Sequence, residues 1–238
     1  MATLVLVRHG KAGVIDADYD QLSPLGARQM EALGRYWTDR GRPVDRVFVG
    51  PLVRQARSWV SFSAGFTAGG GAAPEPITEP GLAEYQALEM MRLAVPQLLG
   101  EDPVVAASIG SIAQRDGSLA RHKEHLFQYV SRRWARGEID VPGITPFATF
   151  RETVGGALDR VLGSGTNGET VLVFTSGGVV AAAVARALSL DDEKTLELSW
   201  IVRNAAFTEL LFAPGRLSLL AFNAVPHLDA DPELMTLR

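Results

Sequence analysis

The stretch TLVLVRHG, residues Thr3–Gly10, decides the fold and the position of the candidate site. Its first five residues are leucine or β-branched, and a short uninterrupted run of this kind is typical of a strand buried on both faces of a parallel sheet. An arginine, a histidine and a glycine follow at once. Because open α/β sheets bind their ligands beyond the carboxyl ends of the strands, we expect Arg8, His9 and Gly10 to face a ligand.

Units of strand, loop and helix repeat along the chain. Ser23 and Pro24 form the pattern of a helix N-cap followed by proline at the first helical position. A helix that contains Arg54 is expected after the second strand, and a tight turn that contains Pro214 is expected between the last two strands. The segments that predict these further strands are 44–49, 171–174, 207–212 and 217–222. The alternation predicts an α/β fold.

Four segments between these units are less regular. Residues 64–80 are rich in glycine, alanine and proline, which predicts an exposed loop. Residues 84–146 lack the alternation of strands and helices and are expected to be mostly helical. Within them PVVAASI (103–109) fits either a strand or a helix. Thr149 and Glu152 have the spacing of a capping box, which predicts the start of a helix.

The composition of the 238 residues limits the possible functions. A formal net charge of −4 at pH 7 argues against nucleic acid as a partner, because its phosphate backbone is bound by concentrated lysine and arginine. Cysteine is absent, which excludes disulfides, thiolate metal sites and a cysteine nucleophile. The sequence has no signal-peptide pattern and no apolar run of membrane-spanning length. We therefore expect a cytoplasmic protein that binds neither nucleic acid nor membranes.

His9 is the first candidate for chemistry. A neutral imidazole can attack phosphorus and form a phosphohistidine, and the guanidinium of Arg8 can bind two phosphate oxygens. The residues alone also allow a histidine that only bonds to neighbouring backbone groups.

Six segments together resemble one family in their order and spacing. They are LVLVRHGKA (4–12), LSPLGARQM (22–30), VFVGPLVRQARS (47–58), LAEY (82–85), VLVFTSGGVV (171–180) and VRNAAFTELL (202–211). This series resembles the histidine phosphatase superfamily, the phosphoglycerate-mutase-like enzymes. The resemblance implies a three-layer α/β/α fold, with a mainly parallel sheet, helices on both faces and a mostly helical insertion near the active site. It implies one domain over residues 1–238, with a core of about 1–84 and 147–238 and an insertion of about 85–146.

The resemblance also implies the site. His9 matches the nucleophile of the family, and Arg8 and Arg54 match its two phosphate-binding arginines. Glu84 matches the acidic residue that protonates the leaving oxygen. Catalysis of this kind comes from positive charge around the transferring phosphoryl group, which stabilises the negative charge that develops on its oxygens.

Ser176 departs from the family pattern. Family members carry a second histidine in a motif similar to VSHGG, where this chain has FTSGG. A serine hydroxyl cannot supply the positive charge of an imidazolium, and loss of a donor that acts like an oxyanion-hole group slows a reaction about a hundredfold to a thousandfold. We expect Ser176 and Gly177 to open a helix whose amides, with Gly10, bind the phosphoryl group.

Three functions are consistent with these features. The first is a phosphatase without metal or cofactor, which hydrolyses a small phosphomonoester through phospho-His9 and is slow because of Ser176. The alternative is a catalytically weak or inactive regulatory module that binds a small phosphorylated molecule or inorganic phosphate. A phosphoglycerate-mutase-like phosphotransferase is third, because the residues from Lys11 to Ile15 lack the polar ETxxN-like pattern of the mutases.

The other histidines are weaker candidates. His122 and His125 could reach over the pocket from the insertion, but we expect them on a solvated helix face. Their spacing is a weak sign of metal binding, since no third ligand is evident. His227 is expected to be structural.

Overall fold

A six-stranded mixed sheet lies at the centre of the computed structural model, which describes residues 1–13, 20–113, 118–163, 168–213 and 215–237. The order in the sheet is β3-β2-β4-β1-β5-β6. The strands are β1 (Ala2–Arg8), β2 (Arg46–Val49), β3 (Pro76–Thr78), β4 (Thr170–Thr175), β5 (Phe207–Ala213) and β6 (Arg216–Ala224). From β3 to β1 the strands are parallel, whereas β5 runs antiparallel to both of its neighbours. The predicted turn residue Pro214 lies outside the described residues, as do Val14 and Ile15.

Strand β1 lies between β4 and β5 and is buried on both faces. Leu4 and Leu6 belong to one hydrophobic cluster, and Val5 and Val7 belong to a second cluster on the opposite face. All four side chains are inaccessible to solvent. Burial on both faces explains why the run is apolar without alternation.

Eight α-helices within the described residues cover the two faces of the sheet. They are α1 (Pro24–Asp39), α2 (Val53–Ala68), α3 (Ala87–Leu98), α4 (Pro103–Ala113), α5 (Leu119–Ala135), α6 (Phe147–Gly163), α7 (Gly177–Leu188) and α8 (Asp192–Ile201). Helices α1 and α2 pack on the face of Val5 and Val7, where Trp37 and Phe62 meet edge to face. Residues of the other helices pack with Leu4 and Leu6. The predicted three-layer α/β fold is confirmed, and none of the described helices is long and apolar enough to cross a membrane.

The starts of two predicted helices differ in outcome. Ser23 caps α1 as predicted, because its Oγ accepts a hydrogen bond from the amide of Gly26 at 3.0 Å. The predicted capping box at Thr149 is wrong, since α6 begins two residues earlier at Phe147. Helical bonding starts directly after Pro146, whose carbonyl accepts from the amide of Phe150.

Residues 64–80 are not one exposed loop. Helix α2 continues to Ala68, and Pro76–Thr78 forms the edge strand β3, which pairs in parallel with β2. A strand of three residues that begins with proline gives almost no periodic signal, which is why the sequence did not predict it. The ambiguous segment 103–109 is helical and forms most of α4.

Helices α3, α4 and α5 occupy the region predicted as a helical insertion. They contribute buried residues to the same cluster as Leu4 and Leu6, among them Met90, Val105 and Val130. The division of the chain into a core and an insertion stays a prediction.

His227 lies in a short 3-10 helix, Pro226–Leu228, with its ring close to those of Tyr36 and Phe207. Both ring nitrogens are closed off from solvent and have no hydrogen-bond partner within the described part of the chain. Burial therefore lowers the pKa of the imidazole from 6.5 to about 4. These contacts agree with the structural role expected for His227.

Replacing His227 with phenylalanine is expected to make the fold less sensitive to acid. Between pH 6.5 and about 4, the unfolded chain binds a proton at His227 that the folded chain does not bind. The stability contributed by the neutral imidazole is complete above this window and is lost as the pH falls through it, by at most roughly 3 kcal/mol. Urea unfolding of wild type and His227→Phe at about pH 7.5 and about pH 4.5 measures the effect. Equal acid destabilisation of the two proteins would contradict this account.

Candidate active site

A cavity of about 850 Å³ opens at the carboxyl ends of β1 and β4. Arg8, His9, Arg54 and Glu84 all line it, and so does Gly177 at the start of α7. The structure thus brings the four predicted catalytic residues into one cavity. We call the part of the wall formed by Arg8, His9 and Arg54 the cationic end.

His9 directs one ring nitrogen toward its own backbone and the other toward Arg54. Its Nδ1 lies 2.7 Å from the carbonyl oxygen of Gly10, and its Nε2 lies 3.2 Å from Nε of Arg54. A carbonyl can only accept and a guanidinium can only donate, so the proton is on Nδ1 and the lone pair is on Nε2. This is the tautomer in which Nε2 can act as a nucleophile.

The same surroundings keep His9 neutral. The side chain is buried, and burial lowers the pKa of His9 well below its ordinary value. The positive charges of Arg8 and Arg54 lower this pKa further, while the hydrogen bond to Gly10 acts in the opposite direction. A lone pair on Nε2 is therefore available at mildly acidic pH.

Arg8 is held by backbone carbonyls from distant parts of the sequence. Its Nη1 donates to the carbonyl oxygen of Val202 and to that of Leu237, the latter at 2.8 Å. Neither acceptor carries a formal charge. These bonds therefore hold the guanidinium at the cavity wall.

Arg54 lies in the first turn of α2, where Asp20 contacts it. The Asp20 carboxylate accepts a bond from Arg54 Nη1 at 2.7 Å and one from the amide of Val53 at 2.9 Å. A carboxylate is favourable at a helix N-terminus because of the free amides and the helix dipole. Asp20 therefore orients Arg54 and also places a negative charge beside the cationic end.

Glu84 stands across from α7 in the wall of the cavity. Its carboxylate accepts bonds from the amide of Gly178 at 3.1 Å and from the amide of Tyr85 at 3.0 Å. Burial raises the pKa of Glu84 above its usual value, although these two bonds and the nearby arginines act in the opposite direction. A carboxyl group with a raised pKa can act as a proton donor.

Gly178 is the position where the approach of Glu84 requires a glycine. A Cβ atom there would lie 2.1 Å from Oε1 of Glu84 and 2.6 Å from Cδ1 of Tyr85. The Tyr85 ring is itself packed among Trp134, Phe147 and Phe150. The missing side chain thus allows the first turn of α7 to contact the carboxylate.

Gly10 lies behind the cavity and is not among the residues that line it. Its amide donates to Oγ of Ser58 in α2 at 3.1 Å, and a Cβ atom there would lie 2.4 Å from the carbonyl oxygen of Gly26 in α1. In this structure Gly10 lets the loop after β1 pack between α1 and α2.

Ser176 is also absent from the cavity wall, and so is Gln55, to which it is bonded. Ser176 and Gln55 are both completely buried, and Nε2 of Gln55 donates to Oγ of Ser176 at 2.8 Å. The amide of Gln55 also bonds to the carbonyl of Leu82 and to the backbone amide of Leu52. Ser176 and Gln55 thus form a neutral, buried pair.

Several polar residues at the site were not predicted from the sequence, among them Asp20, Gln55 and Asn204. Asp20 and Gln55 contact predicted residues directly, as described above. Asn204 lines the cavity, and its Nδ2 lies 3.4 Å from the carbonyl oxygen of His9. Gln55 is adjacent to Arg54 and Asn204 lies in the VRNAAFTELL segment, so proximity to a motif was the available signal for both. Asp20 gave no such signal.

Residues of α5 take part in the cavity, but its two histidines do not. Lys123, Glu124 and Phe127 line the cavity, whereas His122 and His125 are not among the lining residues. His122 lies 2.6 Å from Oγ of Ser118, and His125 is exposed. No cluster of three or more histidine, aspartate or glutamate side chains that could hold a metal ion occurs in the described part of the chain.

Apolar side chains form a second part of the wall, which we call the apolar end. It consists of Leu52, Ala87, Leu88, Ala120, Phe127 and Trp200, which come from α3, α5, α8 and the loop before α2. The wall of one cavity therefore carries both cationic and apolar side chains.

Comparison with protein families gives one match. The model of the histidine phosphatase superfamily (branch 1) matches residues 114–225. This range contains the β4–α7 segment and β5, but not Arg8, His9, Arg54 or Glu84. No curated protein sequence matches the chain.

Solved structures share the fold over almost the whole chain. A phosphoserine phosphatase mutant from Entamoeba histolytica in complex with phosphoserine is 18% identical, with a TM-score of 0.62 over 96% of this chain and 100% of that chain. A mycobacterial glucosyl-3-phosphoglycerate phosphatase with inorganic phosphate is 19% identical, with a TM-score of 0.61 over 94% and 98%. A phosphoglycerate mutase from Bacillus anthracis is 14% identical, with a TM-score of 0.64 over 95% of each chain. The chain therefore has the fold of these phosphatases and of this mutase, and residues 114–225 match the histidine phosphatase superfamily.

Proposed function

We propose that this chain is a metal-independent phosphatase of the histidine phosphatase superfamily, which hydrolyses a small phosphomonoester through a phosphohistidine at His9. The observation that carries the proposal is the hydrogen bond of 3.2 Å from Arg54 Nε to His9 Nε2. This bond indicates that the lone pair of the imidazole is on Nε2, next to the guanidinium of Arg54. Arg8 and Glu84 line the same cavity. The family match and the phosphatases with the same fold support this proposal.

In the first step, His9 Nε2 attacks the phosphorus of the ester. The bond from phosphorus to the leaving oxygen breaks, and Glu84 in its acid form gives that oxygen a proton. Arg8 and Arg54 bind the phosphoryl oxygens and offset the charge that develops on them. The raised pKa of Glu84 favours the acid form that this step needs.

In the second step, water attacks the phosphorus of phospho-His9. The Glu84 carboxylate, left by the first step, accepts the proton of the water, and the bond from phosphorus to nitrogen breaks. Inorganic phosphate leaves, and both His9 and Glu84 return to their starting forms. One carboxyl group can thus act first as an acid and then as a base.

Ser176 and Asp20 reduce the positive charge available to the phosphoryl group. Ser176 is neutral and bonded to Gln55, while the Asp20 carboxylate bonds to Arg54. We therefore propose a slow enzyme, since one missing donor of this kind costs about a hundredfold to a thousandfold in rate.

The second candidate is a module that binds a small phosphorylated ligand without useful turnover. The observation that favours it is the buried, neutral Gln55–Ser176 pair. Arg8 and Arg54 would still attract an anion in such a protein. Hydrolysis of a panel of phosphomonoesters well above the His9→Ala background would exclude this candidate.

Replacing His9 with alanine is expected to abolish hydrolysis of p-nitrophenyl phosphate, because no other group in the cavity is proposed to attack phosphorus. The matched control is His125→Ala, which removes an exposed imidazole that does not line the cavity. The control should keep the wild-type rate, and circular dichroism should show both variants folded. Equal rates for His9→Ala and His125→Ala would contradict the proposal.

The rate should fall at low pH as His9 gains a proton, and at higher pH as Glu84 loses its proton. Because the pKa of His9 is lowered and the pKa of Glu84 is raised, kcat/KM should be maximal at mildly acidic pH and should fall as Glu84 loses its proton.

Glu84→Gln should slow hydrolysis of an alkyl phosphate about a hundredfold or more, and should remove the fall at alkaline pH. It should affect p-nitrophenyl phosphate much less, since nitrophenolate leaves without a proton.

The control for this profile is Glu89→Gln, which changes another carboxylate of the cavity wall. It should keep the fall at alkaline pH. If Glu84→Gln lowers kcat/KM equally for the alkyl and the nitrophenyl ester, Glu84 is not the proton donor of the first step. The comparison uses kcat/KM because both esters form the same phospho-His9, and Glu84 also acts in its hydrolysis.

Restoring a second histidine should require two substitutions. Because Ser176 and Gln55 are completely buried and in contact, Ser176→His alone has no room for its ring and should destabilise the fold without raising turnover. In Gln55→Ala/Ser176→His the ring has space, and turnover should rise at least about tenfold over Gln55→Ala alone. Steady-state rates and thermal unfolding of the three variants measure this. A faster Ser176→His single variant would show that Gln55 does not block the position.

A further inference from the structure

The apolar end of the cavity lies next to the proposed phosphoryl site and has no part in the chemistry proposed above. Leu88 comes from α3, Phe127 from α5 and Trp200 from α8, so three helices converge there. The rings of Phe127 and Trp200 lie 6.0 Å apart, and the guanidinium of Arg132 lies 5.2 Å from the Trp200 ring. These contacts hold the Trp200 ring in place.

The volume of the cavity exceeds the need of a phosphoryl group. At about 850 Å³ it falls in the range of roughly 300–1,000 Å³ that is typical of pockets for drug-sized ligands. A phosphoryl group is much smaller than this volume, which leaves space for the organic group of an ester.

The charges near the apolar end do not favour an acidic organic group. Lys123 and Glu124 of α5 and Glu89 of α3 line the cavity there, and Glu89 is paired with Arg92. Lys11 also lines the cavity but follows His9 closely in the chain. The one positive and one negative side chain of α5 give no net attraction for a carboxylate. An organic group of this site therefore gains most from contact with apolar side chains.

Taking the proposed phosphatase function as given, we propose that the substrates are phosphomonoesters of bulky apolar alcohols. The apolar end binds the organic group, and Phe127 and Leu88 determine this specificity. Phosphoserine and 3-phosphoglycerate, with which proteins of the same fold have been crystallised, would be poor substrates here because their organic groups are small and charged.

Binding of phosphonates tests this proposal independently of turnover, since a phosphonate cannot be hydrolysed. Calorimetry compares phenylpropylphosphonate, ethylphosphonate and the phosphonate analogue of phosphoserine on the wild-type protein. The phenylpropyl compound should bind at least about tenfold more tightly than the other two. Equal affinities, or tighter binding of the phosphoserine analogue, would overturn the proposal.

Variants identify the residues responsible for the preference. Phe127→Ala and Leu88→Ser should each reduce the preference for the phenylpropyl compound by about threefold to tenfold, with the affinity for ethylphosphonate nearly unchanged. Leu88 is 43% exposed, so its substitution leaves the fold intact. The control is Leu220→Ala on β6, outside the cavity and 58% exposed, which should change nothing. A preference that both cavity variants retain would also overturn the proposal.

Turnover of matched esters separates this proposal from the phosphatase function. Phenylpropyl phosphate, ethyl phosphate and phosphoserine all release a primary alcohol, so their kcat/KM values differ through binding rather than through the leaving group. A higher kcat/KM for the phenylpropyl ester, abolished by His9→Ala, supports both proposals. If the phosphonates bind with the expected preference but no ester is hydrolysed, the phosphatase function fails and the ligand class stands. Hydrolysis of all three esters with equal kcat/KM would contradict the proposed ligand class and leave the phosphatase function standing.

Discussion

The hydrogen bond between Arg54 Nε and His9 Nε2 connects the end of β1 to the first turn of α2, and the rest of the site depends on it. It fixes the tautomer of the imidazole, because the guanidinium must donate and the carbonyl of Gly10 must accept. For the bond to form, the loop after β1 must pass close to both α1 and α2. Gly10 allows that approach, and its amide is in turn bound by Ser58.

Positive charge held out of water is costly, and the structure limits that cost in two ways. Arg8 is bonded to neutral carbonyl oxygens, whereas Arg54 is bonded to the Asp20 carboxylate. The carbonyl oxygens hold the Arg8 side chain in place, whereas the carboxylate compensates part of the charge of Arg54. The two guanidiniums of the proposed anion site are therefore held by different kinds of acceptor.

Local patterns in the sequence predicted the central sheet and the residues next to it, because burial of β1 and β4 and the cap at Ser23 leave strong signals in neighbouring residues. Edge strand β3 was not predicted, since a strand of three residues is too short to show a period. Only the resemblance to a family singled out Glu84 and Arg54, because charged residues of these types would otherwise be expected at the surface. Asp20 could not be predicted, since its role arises from contacts with Val53 and Arg54, which lie 33 and 34 positions away. Gln55 is adjacent to Arg54, but its bond to Ser176 joins residues 121 positions apart.

The bond from Arg8 to the carbonyl of Leu237 joins residues 229 positions apart in the sequence. During synthesis, a ribosome-bound chain that has not yet reached Leu237 holds Arg8 without this acceptor. Strand β1 likewise cannot form its pairing until β4 and β5 have been made, since these two strands pair with it on either side. The pocket is therefore complete only after the chain through Leu237 has been made and has folded back onto the sheet, and a fragment that stops before β5 would leave one edge of β1 unpaired.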